Sequence, residues 1–288
     1  MLSQLIITHE TVYRYRVPVE LGQHRLVLRP REGHDLQVVS MDLDITPAHT
    51  VRWSRDVFGN SVATVDFQQP CDELRIVSCV KVNLHALPRL EEADQSVMAY
   101  PVAYDDEEAL VANAYKTPIY PGDLPSLQAW LPAVIAKADQ NNAFAIVATL
   151  NREIKETIRY ARREEKGVQT PAETLQKQSG SCRDMATLLM EACRALGFAA
   201  RFCSGYLDCA ASEAGRASTH AWMEAYLPAH GWSGFDPTLG DEVSHKHVSI
   251  GVSNHPRAVM PISGRFFGTR ADFIAMSVAV KFEKPNQR

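Results

Sequence analysis

Two hydrophobic periodicities divide this chain, and they constrain its fold more than any single motif. Over roughly the first ninety residues, apolar and polar side chains alternate as they do in half-buried strands. Thr11 to Val17 and Gln37 to Ile45 read this way, and Ser61 to Phe67 and Leu74 to Leu84 are rich in β-branched residues. Asp56-Val57-Phe58-Gly59-Asn60-Ser61 supplies a turn between strands. Several short strands with turns between them predict an antiparallel β-sandwich over residues 1–90.

Prolines 88, 101, 118, 121 and 125 then break the pattern. Residues 91–125 read as a connector holding one short helix, Asp106 to Tyr115. Helical spacing follows in residues 126–288, the expected second domain. Ser126 to Ala138 is one helix, and Ala143 to Ala161 another, with Ile146, Val147, Leu150, Ile154 and Ile158 on its apolar face. Thr170 and Pro171 form an N-cap and N1 pair for a helix ending at Gln178. The chain is therefore expected to be α+β, and its 288 residues suit two modest domains.

Charge and apolar content exclude several classes of partner. The formal net charge is −4, and the densest basic stretch, Arg159 to Lys166, is interrupted by Glu164 and Glu165, which argues against nucleic-acid binding. The segment Met1 to His9 lacks the basic and long apolar regions of a signal peptide, and no apolar run nears the roughly 18 residues that span a bilayer. A cytoplasmic protein with no membrane partner is expected. None of the six cysteines (71, 79, 182, 193, 203 and 209) forms a C-x-x-C pair, and no calcium, nucleotide or zinc motif is present, so neither a metal nor a cofactor is expected. Five of the cysteines read as small buried hydrophobes.

Cys182 is the exception. Gln178-Ser179-Gly180-Ser181-Cys182-Arg183-Asp184-Met185 ends a loop and opens a helix whose apolar positions are Met185, Leu188, Leu189, Ala192 and Leu196, with Gly197 as its stop. A cysteine in the first turn sits at unsatisfied N–H groups and the positive end of the helix dipole, which stabilise a thiolate. The alternative is an inert cysteine at a helix start. Among ten histidines, His220 stands out, because the strand Ser218 to Leu227 sets it on one face with Trp222, Glu224 and Tyr226. Ala221, Met223, Ala225 and Leu227 form the opposite, core face. The polar and aromatic face suits a cleft wall, although a lone strand histidine is commonly structural. After the turn Pro228 to Gly231, a second strand stops at Asp236-Pro237. Asp236 could fix the His220 tautomer through Nδ1 and leave Nε2 to face Cys182; alone, it reads as a turn initiator. A simple hairpin puts Asp236 opposite Met223 or Glu224, so a bulge or register shift is needed to bring it to His220. Glu224 is the alternative acid.

Gly180-Ser181-Cys182-Arg183-Asp184-Met185-Ala186, Arg194-Ala195-Leu196-Gly197-Phe198, His220-Ala221-Trp222-Met223-Glu224-Ala225-Tyr226 and Asp236-Pro237-Thr238 together resemble the core of the transglutaminase-like superfamily. Thr8 to Tyr15, Leu28-Arg29-Pro30-Arg31 and Asp56 to Asn60 resemble the N-terminal region of its bacterial members, and the tail, with His247 and Pro261-Ile262-Ser263-Gly264, fits the same group. The resemblance implies a papain-like core in which a helix bearing the nucleophile faces an antiparallel sheet. It implies a triad of Cys182, His220 and Asp236, and a second oxyanion donor upstream of the nucleophile, for which Gln178 and Tyr160 are candidates. The implied substrate is a peptide or protein amide, cleaved through a thioester that water resolves, because the bacterial group is labelled as cysteine proteases. An amine acceptor would make the same triad a transglutaminase, and loss of the chemistry would leave a binding scaffold.

Overall fold

The computed structural model describes residues 2–85, 98–163, 165, 167–208, 219–228 and 230–285. Six strands come first: β1 (Leu2–Leu21), β2 (His24–Leu26), β3 (Leu36–Thr46), β4 (His49–Arg55), β5 (Ser61–Phe67) and β6 (Cys71–His85). Next are α1 (Asp106–Lys116), α2 (Leu124–Ile135), α3 (Ala143–Thr157), β7 (Arg159–Tyr160), α4 (Pro171–Lys177), β8 (Ser179–Gly180) and α5 (Cys182–Ala195). The remainder is mostly strand: β9 (Ala200–Leu207), β10 (Thr219–Leu227), β11 (Gly231–Asp236), β12 (Asp241–Glu242), β13 (His247–Ser253), β14 (Ile262–Ser263), β15 (Phe266–Phe267) and β16 (Phe273–Glu283). The expected α+β class holds, with three antiparallel sheets and one two-stranded parallel pair, β7 with β8, among the described residues.

Two sheets built on the first six strands pack face to face. One runs β15-β1-β6-β3, with β16 also on β1; the other runs β14-β2-β5-β4. Tyr15, Val19, Leu26, Ile45, Val65, Leu74 and Ile76 fill the space between them. Burial alternates along β6 from Leu74 to Leu84, which is why its sequence reads as strand. Strand β4 is almost wholly exposed, with Trp53 at 47%, so it carries no alternating signal and escapes a sequence reading. Strands β14, β15 and β16 also join these sheets, so a division into residues 1–90 and 126–288 separates strands that pair. Residues 86–97, which take in the end of the expected first domain and the start of the expected connector, lie outside the described residues, as does Cys209.

The other sheet has the order β12-β11-β10-β9-β13. Ala221, Met223, Ala225 and Leu227 meet Met185, Leu188 and Leu189 of α5, as the alternation of β10 predicts. The opposite face is covered as well. Trp222, Cys203 and Val252 pack there with Val243 and with Phe58 from the turn after β4. Asn60 anchors that turn. It is fully buried, accepts from the Val252 N–H at 2.9 Å and donates to the Val252 carbonyl at 2.8 Å. Gly59 allows the turn its φ of +75°.

In a flat sheet, β11 and β13 would lie three spacings of about 4.8 Å apart, roughly 14 Å. Side chains at their ends nevertheless share a hydrogen bond, Asp236 with His247. The sheet therefore curls at this end. Gly205 of β9 lies between His220 and Ser249 in the register, and a Cβ on it would stand 2.2 Å from the Val248 carbonyl oxygen and 2.5 Å from the Trp222 ring. The β13–β9 register also slips between Ser249 and Gly251. A strand glycine and a bulge are the usual means of bending a sheet. Gly205→Ala is expected to lower stability by about 3 kcal/mol or more, since the obstacle is backbone and cannot rotate away. Chemical denaturation checks this, and a loss below about 1 kcal/mol would show that the strands separate without strain.

Candidate active site

Cys182 is the first residue of α5, and its surroundings explain the sequence around it. The Asp184 carboxylate, fully buried, accepts from the Ser181 N–H and Oγ–H, both at 2.8 Å, from the Gln169 N–H at 2.7 Å and from Arg163 Nε at 2.8 Å. Burial pushes its pKa up, but Arg163 and the backbone donors outweigh burial and hold it below the usual carboxylate range. The N3 acid thereby closes back on the residue before the helix, in the manner of a capping box. Gly180 is required because a Cβ there would lie 2.8 Å from the Asp184 Cβ. Asp184 and Arg163 have no role in the sequence reading, although Asp184 sits in its motif. The N3 spacing of an acid after Ser181 was the available signal.

His220 lies on β10, 4% exposed, and Cys182 is near enough to its ring to help raise its pKa. Its Nε2 is 2.7 Å from Asp236 Oδ2. This reverses the ring assignment expected from the sequence: Nε2 takes the carboxylate, which leaves Nδ1 for the thiol. The register expectation also changes. The loop takes three residues, Pro228 to His230, so that Leu227 pairs with Gly231 and Met223 with Phe235. Continued by one step, this register sets Asp236 across from Trp222, on the face of His220, and no bulge in the hairpin is needed. Glu224, the alternative acid, is bound to Arg201 at 2.6 Å.

Asp236 is fully buried, and three donors surround it. The Thr238 N–H reaches Oδ1 at 2.8 Å, while the Nε2 atoms of His220 and His247 reach Oδ2 at 2.7 and 3.1 Å. Burial works against the Asp236 charge, but the two histidines outweigh it and hold the carboxyl well below its ordinary range. On His220, burial favours the neutral ring; Asp236 and Cys182 together overcome this and push its pKa up to about 10. Elsewhere, burial raises the thiol pKa values of Cys193 and Cys203. His220, Asp236 and His247 are the one grouping among the described residues with metal-ligand spacing, their ligand atoms lying within 4.8 Å of one another. The Ser244 N–H donates to His247 Nδ1, so Nε2 carries the ring hydrogen and presents a donor here rather than a lone pair.

The remaining candidates separate. Trp222 is 1% exposed and lies in the covered core beside Phe58, so it does not line an open cleft as its strand face suggested. Tyr226 bonds Glu108 of α1. Tyr160 pairs with Gly180 across the β7–β8 ladder, two residues before Cys182. Gln178 is exposed and takes a left-handed φ of 48° at the end of α4.

Comparisons with known proteins agree with this architecture. The chain is similar to an uncharacterized protein of Mycobacterium leprae, 25% identical over 282 residues that cover 95% of this chain and 97% of that one. A Mycobacterium tuberculosis protein, also uncharacterized, is 26% identical over 289 residues, covering 95% and 90%. Among solved structures, a Cytophaga hutchinsonii protein described as a "putative cysteine protease" covers 100% of this chain and 92% of its own, with a TM-score of 0.76 at 17% identity, which establishes a shared fold. Residues 5–83 match the family model of the bacterial transglutaminase-like N-terminal region, and residues 131–237 match that of the transglutaminase-like superfamily.

Proposed function

We propose that this protein is a thiol-dependent acyl-transfer enzyme that hydrolyses an amide bond of a peptide or protein, with Cys182 as nucleophile, His220 as general acid and base, and Asp236 as the orienting carboxylate. The observation that carries this reading is the buried line from Cys182 through His220 to Asp236, at the start of a helix in a transglutaminase-like core. A histidine held protonated beside a thiol is the acid that a departing amine requires.

In the first half-reaction the Cys182 proton passes to Nδ1 of His220, the Sγ thiolate adds to the amide carbonyl carbon, and the oxyanion is met by the Cys182 N–H, which has no acceptor within its own helix. Nδ1 of His220 gives its proton to the leaving nitrogen as the C–N bond breaks. Water then adds to the thioester, passing a proton to Nδ1; the C–S bond breaks, and the acid leaves. Tyr160, beside Gly180, is the stronger candidate for a second oxyanion donor, because Gln178 is turned into solvent. A lysine amine in place of water would give cross-linking through the same thioester. The reading carries a cytoplasmic setting with it, where Cys182 stays a thiol.

Iodoacetamide at neutral pH is expected to alkylate Cys182 at least about tenfold faster than Cys193 or Cys203. Cys182→Ala is expected to abolish cleavage of a peptide library without changing the melting temperature. Equal alkylation rates would point instead to a binding scaffold, and product carrying an added amine would point to transamidation. The pH dependence has a definite sign. Since the folded pKa of His220 is raised from 6.5 to about 10, its contribution to stability is fully present below 6.5 and is lost as pH rises through about 10. Cleavage, which needs the same proton, should fall over that alkaline limb. A rate that keeps rising beyond it would remove His220 as the acid.

A further inference from the structure

We propose that His247 is a positioning residue of the site: a neutral histidine whose Nε2–H makes a fixed second hydrogen bond to the Asp236 oxygen that holds His220. The proposal rests on the hydrolase reading above and adds a fourth residue to it.

His247 opens β13, eleven residues beyond Asp236 in sequence and three strands away in the sheet. Its ring is held on every side. The Ser244 N–H donates to Nδ1 at 3.2 Å, and the His247 N–H closes the same turn on the Ser244 carbonyl at 2.9 Å. The Trp222 ring meets it edge to face, at 5.2 Å between centroids and 78° between planes. A hydrogen on Nδ1 would oppose the Ser244 N–H, so the one ring hydrogen sits on Nε2 and points to Asp236 Oδ2, 3.1 Å away.

This donor does two things that His220 cannot do for itself. With the Thr238 N–H on the other oxygen, it fixes the rotation of the carboxylate, so that Oδ2 stays at His220 Nε2. It also occupies a lone pair that could otherwise take the His220 proton. That matters midway through the cycle, when His220 has given a proton to the leaving amine and is neutral. Asp236 is then a fully buried anion without a cationic partner, and the remaining neutral donors keep it ionised and in place. Removal of comparable outer hydrogen bonds in metal sites costs about 10- to 100-fold in activity, and a loss of that order is expected here.

The test uses two substitutions and a probe that needs no known substrate. His247→Phe keeps a ring against Trp222 and removes the donor; His247→Gln keeps an N–H at the Nε2 position. The second-order rate of Cys182 alkylation by iodoacetamide is expected to fall about 10- to 100-fold in H247F and to return to within about fivefold of the parent protein in H247Q. Unchanged alkylation in H247F, or equal losses in both variants at matched melting temperatures, would overturn the proposal. Imidazole ¹⁵N NMR of the parent protein provides a readout independent of either variant's folding. A hydrogen on Nε2 of His247 and none on Nδ1 is expected, and a cationic or Nδ1–H ring would overturn the proposal. If Cys182 in the parent protein reacts no faster than Cys193, it is the hydrolase reading that fails, whatever the tautomer of His247.

Discussion

The buried Asp236 carboxylate dictates how the second sheet is built. A carboxylate with no exposed surface is stable as an anion only when donors occupy its lone pairs. Here the donors come from β10, β13 and the turn after β11. Because β13 is three positions from β11, the sheet must close on itself at that end. Gly205 and the slipped register at Ser249 are the local features that allow it to do so. The strain-relieving glycine, the bulge and the convergent donors are thus one arrangement read at three scales.

A second buried carboxylate, Asp184, does the corresponding work on the thiol side. It ties the loop through Gln169, the Arg163 guanidinium and Ser181 to the first turn of α5. Cys182 therefore sits between two elements that are each fixed by an acid with its full set of donors. The helix cannot shift along its axis without breaking the Asp184 contacts, and His220 cannot turn without leaving Asp236. This is pre-organisation of the kind that catalysis by a nucleophile and base requires, achieved with hydrogen bonds rather than with bulk packing.

The parts legible in the sequence were those that depend on local spacing. Helix α5 and its start follow from Gly180, Ser181, Cys182 and the apolar positions after them, and the two faces of β10 follow from alternation. The parts that were not legible depend on counting through a turn or on long-range closure. The three-residue loop Pro228–His230 moves Asp236 by one position, and that shift decides which face it takes. The exchange of ring nitrogens on His220 follows from the direction in which Asp236 approaches, which no spacing encodes. Trp222 looked like a cleft residue because its neighbours on the strand are polar, but a turn more than 160 residues earlier covers it. His247 stood in a recognised motif without a role, because its partner is near only after the sheet has curled.

That distant turn links the first half of the chain to the candidate site in the second. Asn60 bonds both backbone groups of Val252 on β13, the strand that also carries His247. Phe58 packs in the cluster of Trp222, whose ring lies against both His220 and His247. His9 of β1 reaches Tyr206 of β9 at 2.9 Å, next to Gly205 in the same strand. The curled end of the sheet is thus backed by residues from β1 and from the turn after β4, which lie outside the matched core, residues 131–237, and its histidines rest on Trp222, which Phe58 helps to cover. A core of this kind without its N-terminal region would lose the Phe58 cover of Trp222 and the Asn60 bonds to Val252, five residues along β13 from His247. In this chain the first region therefore covers the sheet face of the second on which Trp222 lies between the His220 and His247 rings.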